Sequence, residues 1–279
     1  MIIGNERVCV QGITGRAGRF HTKQMLEYGT NIVCGVSKNN EIKEIEGLKV
    51  YESCFDAVKE HKIDISVVFV PAKFAKFAVE EAINAGIKKI IVITENIPQH
   101  DSLYLYNLAK EKGSKIIGPN CPGIIVPGKS KIGIMPASAF KTGDTAILSK
   151  SGTLMYEISN YISKKSTGIK IAMGLGGDPI TGTSMKEAVD WIKNNGIKKI
   201  ILIGEVGGNE EIEAVRYLKE NGYGGKIKVF FAGRTAPKGK RMGHAGAIVE
   251  GFEGSIEYKE KKLKEYGIRV SPNILDLVW

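Results

Sequence analysis

The sequence lacks the features that mark several large classes of protein. No apolar run approaches the ~18 residues that would suggest a membrane span. The start of the chain, MIIGNERVCVQG, has no basic segment followed by an apolar stretch and a small-residue cleavage site. The four cysteines show no CxxC spacing, which argues against disulfides and against a zinc site. We therefore expect a cytoplasmic globular protein that binds no metal of its own.

The charge pattern argues against nucleic acid as a partner. The chain carries a net charge of +10, but most lysines lie in helix-like stretches such as KEAVDWIKNNGIKK. Aromatic residues do not alternate with arginines, as they would in many nucleic-acid-binding surfaces. A basic balance of this kind favours small anionic substrates instead.

Short β-branched apolar runs alternate with amphipathic segments of helical length. The first series lies at residues 8–11, 31–35, 65–70, 90–93 and 115–117, and the second at 145–148, 169–172, 198–203, 228–231 and 267–270. This alternation predicts βαβ units and parallel sheets. A stretch rich in proline and glycine, 119–142, separates the two series and is interpreted as a connection. We predict two doubly wound α/β domains, at 1–122 and 144–279, joined by a segment at 123–143.

The first series begins with a glycine-rich turn of the kind that binds phosphate groups. In VCVQGITGRAG a strand leads through Gly12, Gly15 and Gly18 into a helix, so that backbone amides can approach a pyrophosphate. A tight turn without a ligand is the alternative. An NAD site would place an acid after the second strand, where this chain has Ser37 to Asn40. These polar residues favour NADP or coenzyme A, and the loops at 70–72 and 94–96 should lie at the same sheet edge.

The second series carries four glycine-rich loops that should meet at one edge of its sheet. They lie at 149–153, 174–179, 204–210 and 235–248. Loops that follow parallel strands all emerge on the same side. Ser151, Gly152 and Thr153 begin a helix there, and their backbone amides are predicted to form a seat for phosphate.

His244 is the candidate reactive group of these loops. It lies between Gly243 and Gly246 in TAPKGKRMGHAGAI, close to three cations that can attract phosphate. Glu205 follows an apolar strand and could accept a hydrogen bond from one ring nitrogen, leaving the other as a nucleophile. An exposed histidine and a solvated glutamate without function are the alternatives. Cys121, which lacks a nearby cation or base in the sequence, is predicted to be a structural thiol.

Together these motifs identify a family. The chain resembles the alpha subunit of succinyl-CoA synthetase, also called succinate–CoA ligase, over almost its full length. The motifs occur in the family's order, and they are QGITGRAG, GPNCPG, SKSGTLMYE, GGDP, IGEVGG and the specific TAPKGKRMGHAGAI. The resemblance implies an N-terminal Rossmann-like CoA-binding domain followed by a flavodoxin-like ligase domain.

The resemblance also implies roles for individual residues. His244 would carry a phosphoryl group, Glu205 would lie beside it, and Tyr156 would match a substrate position shared with a partner subunit, near the phosphate seat of Ser151, Gly152 and Thr153. The family often has a lysine after the second strand where this chain has Asn40, so Lys38 is expected to replace it. The predicted CoA-binding residues are Thr14, Gly15, Arg16, Ala17, Lys38, Asn40, Val70, Pro71, Ile93, Thr94 and Glu95.

The implied reaction converts succinyl-CoA, phosphate and a nucleoside diphosphate to succinate, CoA and a nucleoside triphosphate. The chain shows no Walker loop or nucleotide-grasp domain, and the family has one on a separate beta subunit. The resemblance therefore implies a hetero-oligomer in which Mg²⁺ and ATP/ADP or GTP/GDP bind mainly to the beta subunit. Three alternatives remain: a ligase for another carboxylic acid such as malate, a CoA-binding regulatory module, and an NAD(P) oxidoreductase. The lack of an acidic residue after the second strand argues against an oxidoreductase that uses NAD.

Overall fold

The computed structural model describes residues 4–39, 41–165, 167–234 and 254–279. The chain forms two compact units, of which the first comprises Met1–Met135 with Ile180–Gly182 and the second Pro136–Pro179 with Thr183–Trp279. Asn40 and the loop that contains His244 lie outside the described residues. None of the helices in the described ranges is long and apolar enough to cross a membrane.

The first unit is built on a seven-stranded sheet in the order β3-β4-β2-β1-β5-β6-β7. Its elements are β1 Val8–Gln11, α1 Arg16–Glu27, β2 Ile32–Val36, β3 Glu44–Ile45, β4 Leu48–Tyr51, α2 Cys54–Glu60, β5 Ile65–Val68, α3 Ala72–Asn84, β6 Lys89–Val92, α4 Gln99–Lys112 and β7 Lys115–Ile117. All neighbours are parallel except the antiparallel pair β3–β4. Since β1 pairs with β2 on one side and with β5 on the other, the strand order reverses at β1, where ligands bind in such folds.

Two strands that the sequence did not predict follow β7 in the first unit. They are β8 Gly123–Val126 and β9 Ser130–Gly133, which form an antiparallel hairpin. Thr30 donates its hydroxyl to the carbonyl of Lys131 at 2.7 Å, which ties this hairpin to the end of α1. Part of the stretch interpreted as a connection is therefore regular structure, and the predicted domain boundaries stay a prediction.

The second unit contains four parallel strands that neighbour one another in the order β13-β12-β10-β11. Its elements are β10 Thr142–Ser149, α5 Gly152–Lys165, β11 Ile169–Gly174, α6 Met185–Asn194, β12 Lys199–Gly204, α7 Glu210–Glu220, β13 Lys226–Phe231 and α8 Ile256–Glu265. The strand predicted at 267–270 is wrong, because Val270 forms only an isolated bridge to Val229. Pro272 follows shortly after and has no N–H to extend the ladder.

Candidate functional sites in the two units

The turn after β1 places the N-terminus of α1 at the point where the strand order reverses. Gly12 has a φ of +76°, and its amide donates to the carbonyl of Val36 on β2 at 2.9 Å. Gly18 packs directly on this turn, since a Cβ there would lie 2.1 Å from the carbonyl oxygen of Gly12. No side chain caps the first turn of α1, and it contains no acidic residue. Its amides are therefore available to an anion.

A cavity of about 590 Å³ opens beside this turn. It gathers residues from the carboxyl ends of β1, β2 and β5 and from α3, which is the location expected for a ligand in a doubly wound sheet. The predicted residues that line it are Thr14, Gly15, Lys38, Val70 and Pro71. The Thr14 hydroxyl lies 2.6 Å from the hydroxyl of Ser37, which links the glycine turn to the end of β2.

The other predicted CoA residues in the described part of the chain lie near the cavity but do not line it. Arg16 and Ala17 begin α1 and are exposed. Ile93, Thr94 and Glu95 follow β6. The Thr94 hydroxyl donates to the carbonyl of Val70 at 2.7 Å and so connects this loop to the cavity wall.

The sequence analysis missed the lining residues that α3 supplies, among them Phe74, Phe77 and Glu81. Phe74 and Phe77 are half or more exposed although they are large and apolar, since the face that α3 buries consists of small aliphatic residues. The sequence signal for this surface was a pair of aromatic residues three positions apart on a helix, outside the face that the helix buries. Glu81 accepts from Lys38 at 2.7 Å and from the amide of Cys54 at 2.7 Å. It therefore holds a cation at the cavity and also the start of α2.

In the second unit, the predicted loops do leave the sheet at one level. Ser149 at the end of β10 is in register with Gly174 of β11 and with Ile203 of β12, and Gly204 is in register with Phe231 of β13. The loops at 149–153, 174–179 and 204–210 thus share one edge, and β13 ends at the same edge.

The N-terminus of α5 is shaped by serines. The Ser149 hydroxyl donates to the carbonyl of Ser151 at 2.7 Å and accepts from its amide at 3.0 Å, which fixes the turn into the helix. Within the described residues, the amides of Gly152 and Thr153 have no acceptor, and the first turn of α5 has no acidic residue. This arrangement suits a phosphate group. Tyr156 lies one turn further and contacts the Phe140 ring edge-on at a centroid distance of 6.3 Å.

Glu205 and a lysine that the sequence analysis did not single out lie at the same edge. Glu205 is only 6% exposed, so it is not the solvated loop residue of the alternative interpretation. Lys150, between the serines, forms an ion pair with Glu210 at 2.9 Å. Burial by itself would lower the pKa of Lys150, but nearby carboxylates, foremost Glu210, outweigh it and raise the pKa. Lys150 therefore brings a permanent positive charge to the edge.

The remaining candidate residues have structural surroundings. Cys121 is buried, donates to the carbonyl of Val92 at 3.2 Å, and has a pKa raised to about 12 by burial, which makes it a poor nucleophile. His21 lies in α1 and stacks on Phe69 at 5.6 Å, with a pKa lowered by burial. His61 lies 2.9 Å from the Tyr51 hydroxyl, while His100 is exposed. No group of three or more His, Cys, Asp or Glu side chains among the described residues could hold a metal ion.

Known families match both units. Residues 4–96 match the model of the CoA binding domain, and residues 148–268 match the CoA-ligase model. The alpha subunit 2 of an ADP-forming succinate–CoA ligase from Archaeoglobus fulgidus is 47% identical over 99% of this chain and 96% of its own length. The alpha subunit of the same kind of enzyme from Aquifex aeolicus is 44% identical over 96% of this chain and 88% of its own length.

Solved structures show the same fold in larger proteins. ATP citrate lyase from Methanosaeta concilii, in complex with (3S)-citryl-CoA, superposes with a TM-score of 0.87 at 23% identity over 99% of this chain. A dinucleotide-forming acetyl-coenzyme A synthetase from Korarchaeum cryptofilum superposes with a TM-score of 0.76 at 21% identity, also over 99%. This chain spans 49% and 60% of their lengths. The predicted order of a Rossmann-like domain and a flavodoxin-like domain is confirmed.

Proposed function

This chain belongs to the family of succinate–CoA ligase alpha subunits, and we propose that it supplies the CoA site and the phosphoryl carrier of an ADP-forming succinate–CoA ligase. The observation that carries the proposal is identity of 40–47% with such subunits over nearly the whole chain. It is supported by a cavity at the first sheet's edge and, at the second, by the amides of Gly152 and Thr153, which have no acceptor among the described residues. A beta subunit is proposed to bind the nucleotide and Mg²⁺.

The proposed reaction has three reversible steps. Phosphate attacks the thioester carbon of succinyl-CoA, the C–S bond breaks, and CoA leaves as succinyl phosphate forms. A ring nitrogen of His244 then attacks phosphorus, the bond to the acyl oxygen breaks, and succinate leaves. Finally the phosphoryl group passes from His244 to ADP.

The described residues support the charge requirements of these steps. The amides of Gly152 and Thr153 and the ammonium of Lys150 stand at the edge where the phosphoryl group is proposed to be, and each of them stabilises negative charge. Ser151 fixes the turn that presents the amides. Glu205 is proposed to accept a hydrogen bond from His244, which selects the tautomer and keeps the other nitrogen nucleophilic.

The test is co-expression of this chain with its beta subunit, followed by an assay for ADP formation from ATP in the presence of CoA and each of several acids. Turnover that requires succinate supports the proposal. Turnover with malate but not with succinate would show that malate is the substrate. Tight CoA binding without turnover on any acid would show that the chain is a regulatory module.

The CoA cavity predicts a large effect of Gly18→Ala. The new methyl group would lie 2.1 Å from the Gly12 carbonyl oxygen, so the turn that presents the α1 amides must move. Overpacking of this kind costs about 1–3 kcal/mol, and we expect CoA affinity to fall about tenfold or more, as measured by titration calorimetry. Gly86→Ala is the control, since its φ of +84° strains an added side chain but nothing lies within 4 Å. It should lower the melting temperature and leave CoA affinity unchanged; equal affinities for Gly18→Ala and wild type would contradict the proposed site.

Lys38 is proposed to bind the ribose 3′-phosphate of CoA. Its ammonium group is bound by Glu81 at the cavity, and its side chain is 74% exposed, so a phosphate can reach it. Lys38→Met should weaken CoA binding about three- to tenfold, a modest effect because water screens the charge. Affinity for 3′-dephospho-CoA should not change. Lys43→Met, which removes a similarly exposed cation paired with Glu52, is the control. If Lys38→Met lowered the affinities for CoA and for 3′-dephospho-CoA equally, Lys38 would not bind the 3′-phosphate.

A further inference from the structure

A fully buried lysine lies beneath the loop that carries Glu205. Lys259 shares with Ile256 and Leu263 the face that α8 buries, a position where helical periodicity predicts an apolar residue. Its side chain has no exposed surface. A buried ammonium group is costly unless its hydrogens find acceptors, so the surroundings of Lys259 must satisfy it.

Three acceptors surround the ammonium group. Nζ donates to the carbonyl of Glu205 at 2.8 Å, to the carbonyl of Gly207 at 2.7 Å and to the carboxylate of Glu211 at 2.6 Å. The Phe231 ring lies 5.0 Å away on a further side. An ammonium group has three hydrogens, and each has one acceptor here. The lysine therefore joins α8, the start of α7 and the loop after β12.

The loop has a shape that needs such support. Gly207 and Gly208 both have positive φ, at +80° and +58°, so the chain turns sharply after Glu205. The amide of Gly207 donates to the carbonyl of Gly254, just before α8. Glu211 packs against the residue on the other side of Glu205, since a Cβ on Gly204 would lie 2.3 Å from its Oε1. The backbone is thus fixed immediately before Glu205 and immediately after it.

We propose that Lys259 is a positioning residue for the reaction: it holds the backbone of Glu205 and thereby sets the place of the carboxylate that orients His244. This inference rests on the proposed function of Glu205. An apolar residue in α8 could fill the same volume, but it could not donate to the two loop carbonyls. Because those carbonyls are buried, their hydrogen bonds to the ammonium group also restrict the loop to one conformation.

The test removes the hydrogen bonds of the Lys259 ammonium group without leaving an unpaired buried charge. The double variant Lys259→Met, Glu211→Met keeps the side-chain volumes and eliminates both charges, a change that folded proteins tolerate better than loss of one partner. In the complex with the beta subunit, we expect kcat to fall about 100-fold, because a displacement of about 1 Å in catalytic geometry has effects of this size. The KM for CoA should stay within twofold. The control is Lys262→Met, Glu265→Met, which removes an exposed ion pair from the same helix and should leave kcat unchanged.

Coupling to Glu205 separates positioning from a merely structural role. If Lys259 acts through Glu205, adding Glu205→Gln to the double variant should lower kcat less than threefold further, although Glu205→Gln alone is expected to lower it strongly. The inference would be overturned if the decreases in kcat from the two changes multiplied, or if Lys259→Met, Glu211→Met had the kcat of wild type. If neither this double variant nor Lys259→Gln, Glu211→Gln gives a folded complex by circular dichroism, Lys259 is a stability element and the inference is likewise overturned.

The same assays distinguish failure of this inference from failure of the proposed function. The wild-type complex and the Glu205→Gln single variant report on the proposed function alone. Absence of phosphoenzyme in wild type, or full activity of Glu205→Gln, would refute the proposed role of the loop whatever Lys259 does. If the wild-type complex forms phosphoenzyme and Glu205→Gln lowers kcat, but the effects of Glu205→Gln and of Lys259→Met, Glu211→Met multiply, only the role of Lys259 is refuted.

Discussion

His244→Asn is expected to abolish the acid-labile phosphoenzyme and to reduce ligation below detection. Asparagine has no nucleophilic ring nitrogen, so no bond to phosphorus can form and the succinyl phosphate intermediate has no acceptor. The residue lies outside the described part of the chain, and the expectation rests on the sequence and on the proposed mechanism. The measurement is incorporation of label from γ-labelled ATP into the complex with the beta subunit, followed by acid and base treatment, since phosphohistidine is lost in acid and survives base.

His100→Asn is the matched control for this experiment. His100 lies on α4 in the first unit, and its side chain is 87% exposed. The substitution makes the same chemical change at a position with no proposed role, so it should label like wild type. If His244→Asn and His100→Asn incorporate the same amount of label, His244 does not carry the phosphoryl group and the three-step mechanism is wrong.

The sequence predicted most central strands because burial on both sides of a sheet demands β-branched apolar runs. Strands β1 and β7 lie at the predicted residues, and the other predicted strands of the first unit overlap the observed ones. The edge pair β3 and β4 was not predicted, since these strands are short and carry exposed charges such as Glu44 and Lys49. The run at 267–270 has strand-like composition, but composition does not show that only one bridge forms.

The candidate sites were predictable to the extent that parallel strands determine where loops lie. That rule places Ser151 and Glu205 at one sheet edge without any knowledge of side-chain contacts. It does not identify Lys150 or Lys259, because their partners are 60 and 48 residues away in the sequence and their contacts depend on how loops and helices pack. A lysine at an apolar position of α8 was a visible signal, and it indicated a buried polar contact.

Glu205→Gln is expected to lower the rate of phosphoenzyme formation by about 10²–10⁴-fold without unfolding the second unit. Glutamine has almost the same shape and its carbonyl can still accept a hydrogen bond, but it has no charge to stabilise an imidazolium and can present its amide to the ring instead. The analogous change in a Ser-His-Asp triad lowers kcat by about 10⁴-fold through the wrong tautomer. Single-turnover labelling by ATP measures the step directly, because product release does not contribute.

Glu213→Gln provides the comparison, since it makes the same change in the first turn of α7 and takes no part in the ion pairs of Lys150 and Lys259. It should label at the wild-type rate. The difference between the two variants matters because Glu205 is buried whereas a solvated carboxylate would have little effect on a neighbouring ring. Equal rates for both would mean that the Glu205 carboxylate does not contact the reacting histidine. A slow rate for Glu205→Gln alone, together with unchanged CoA affinity, would place the defect in phosphoryl transfer to His244, since the match to the CoA binding domain lies in the first unit.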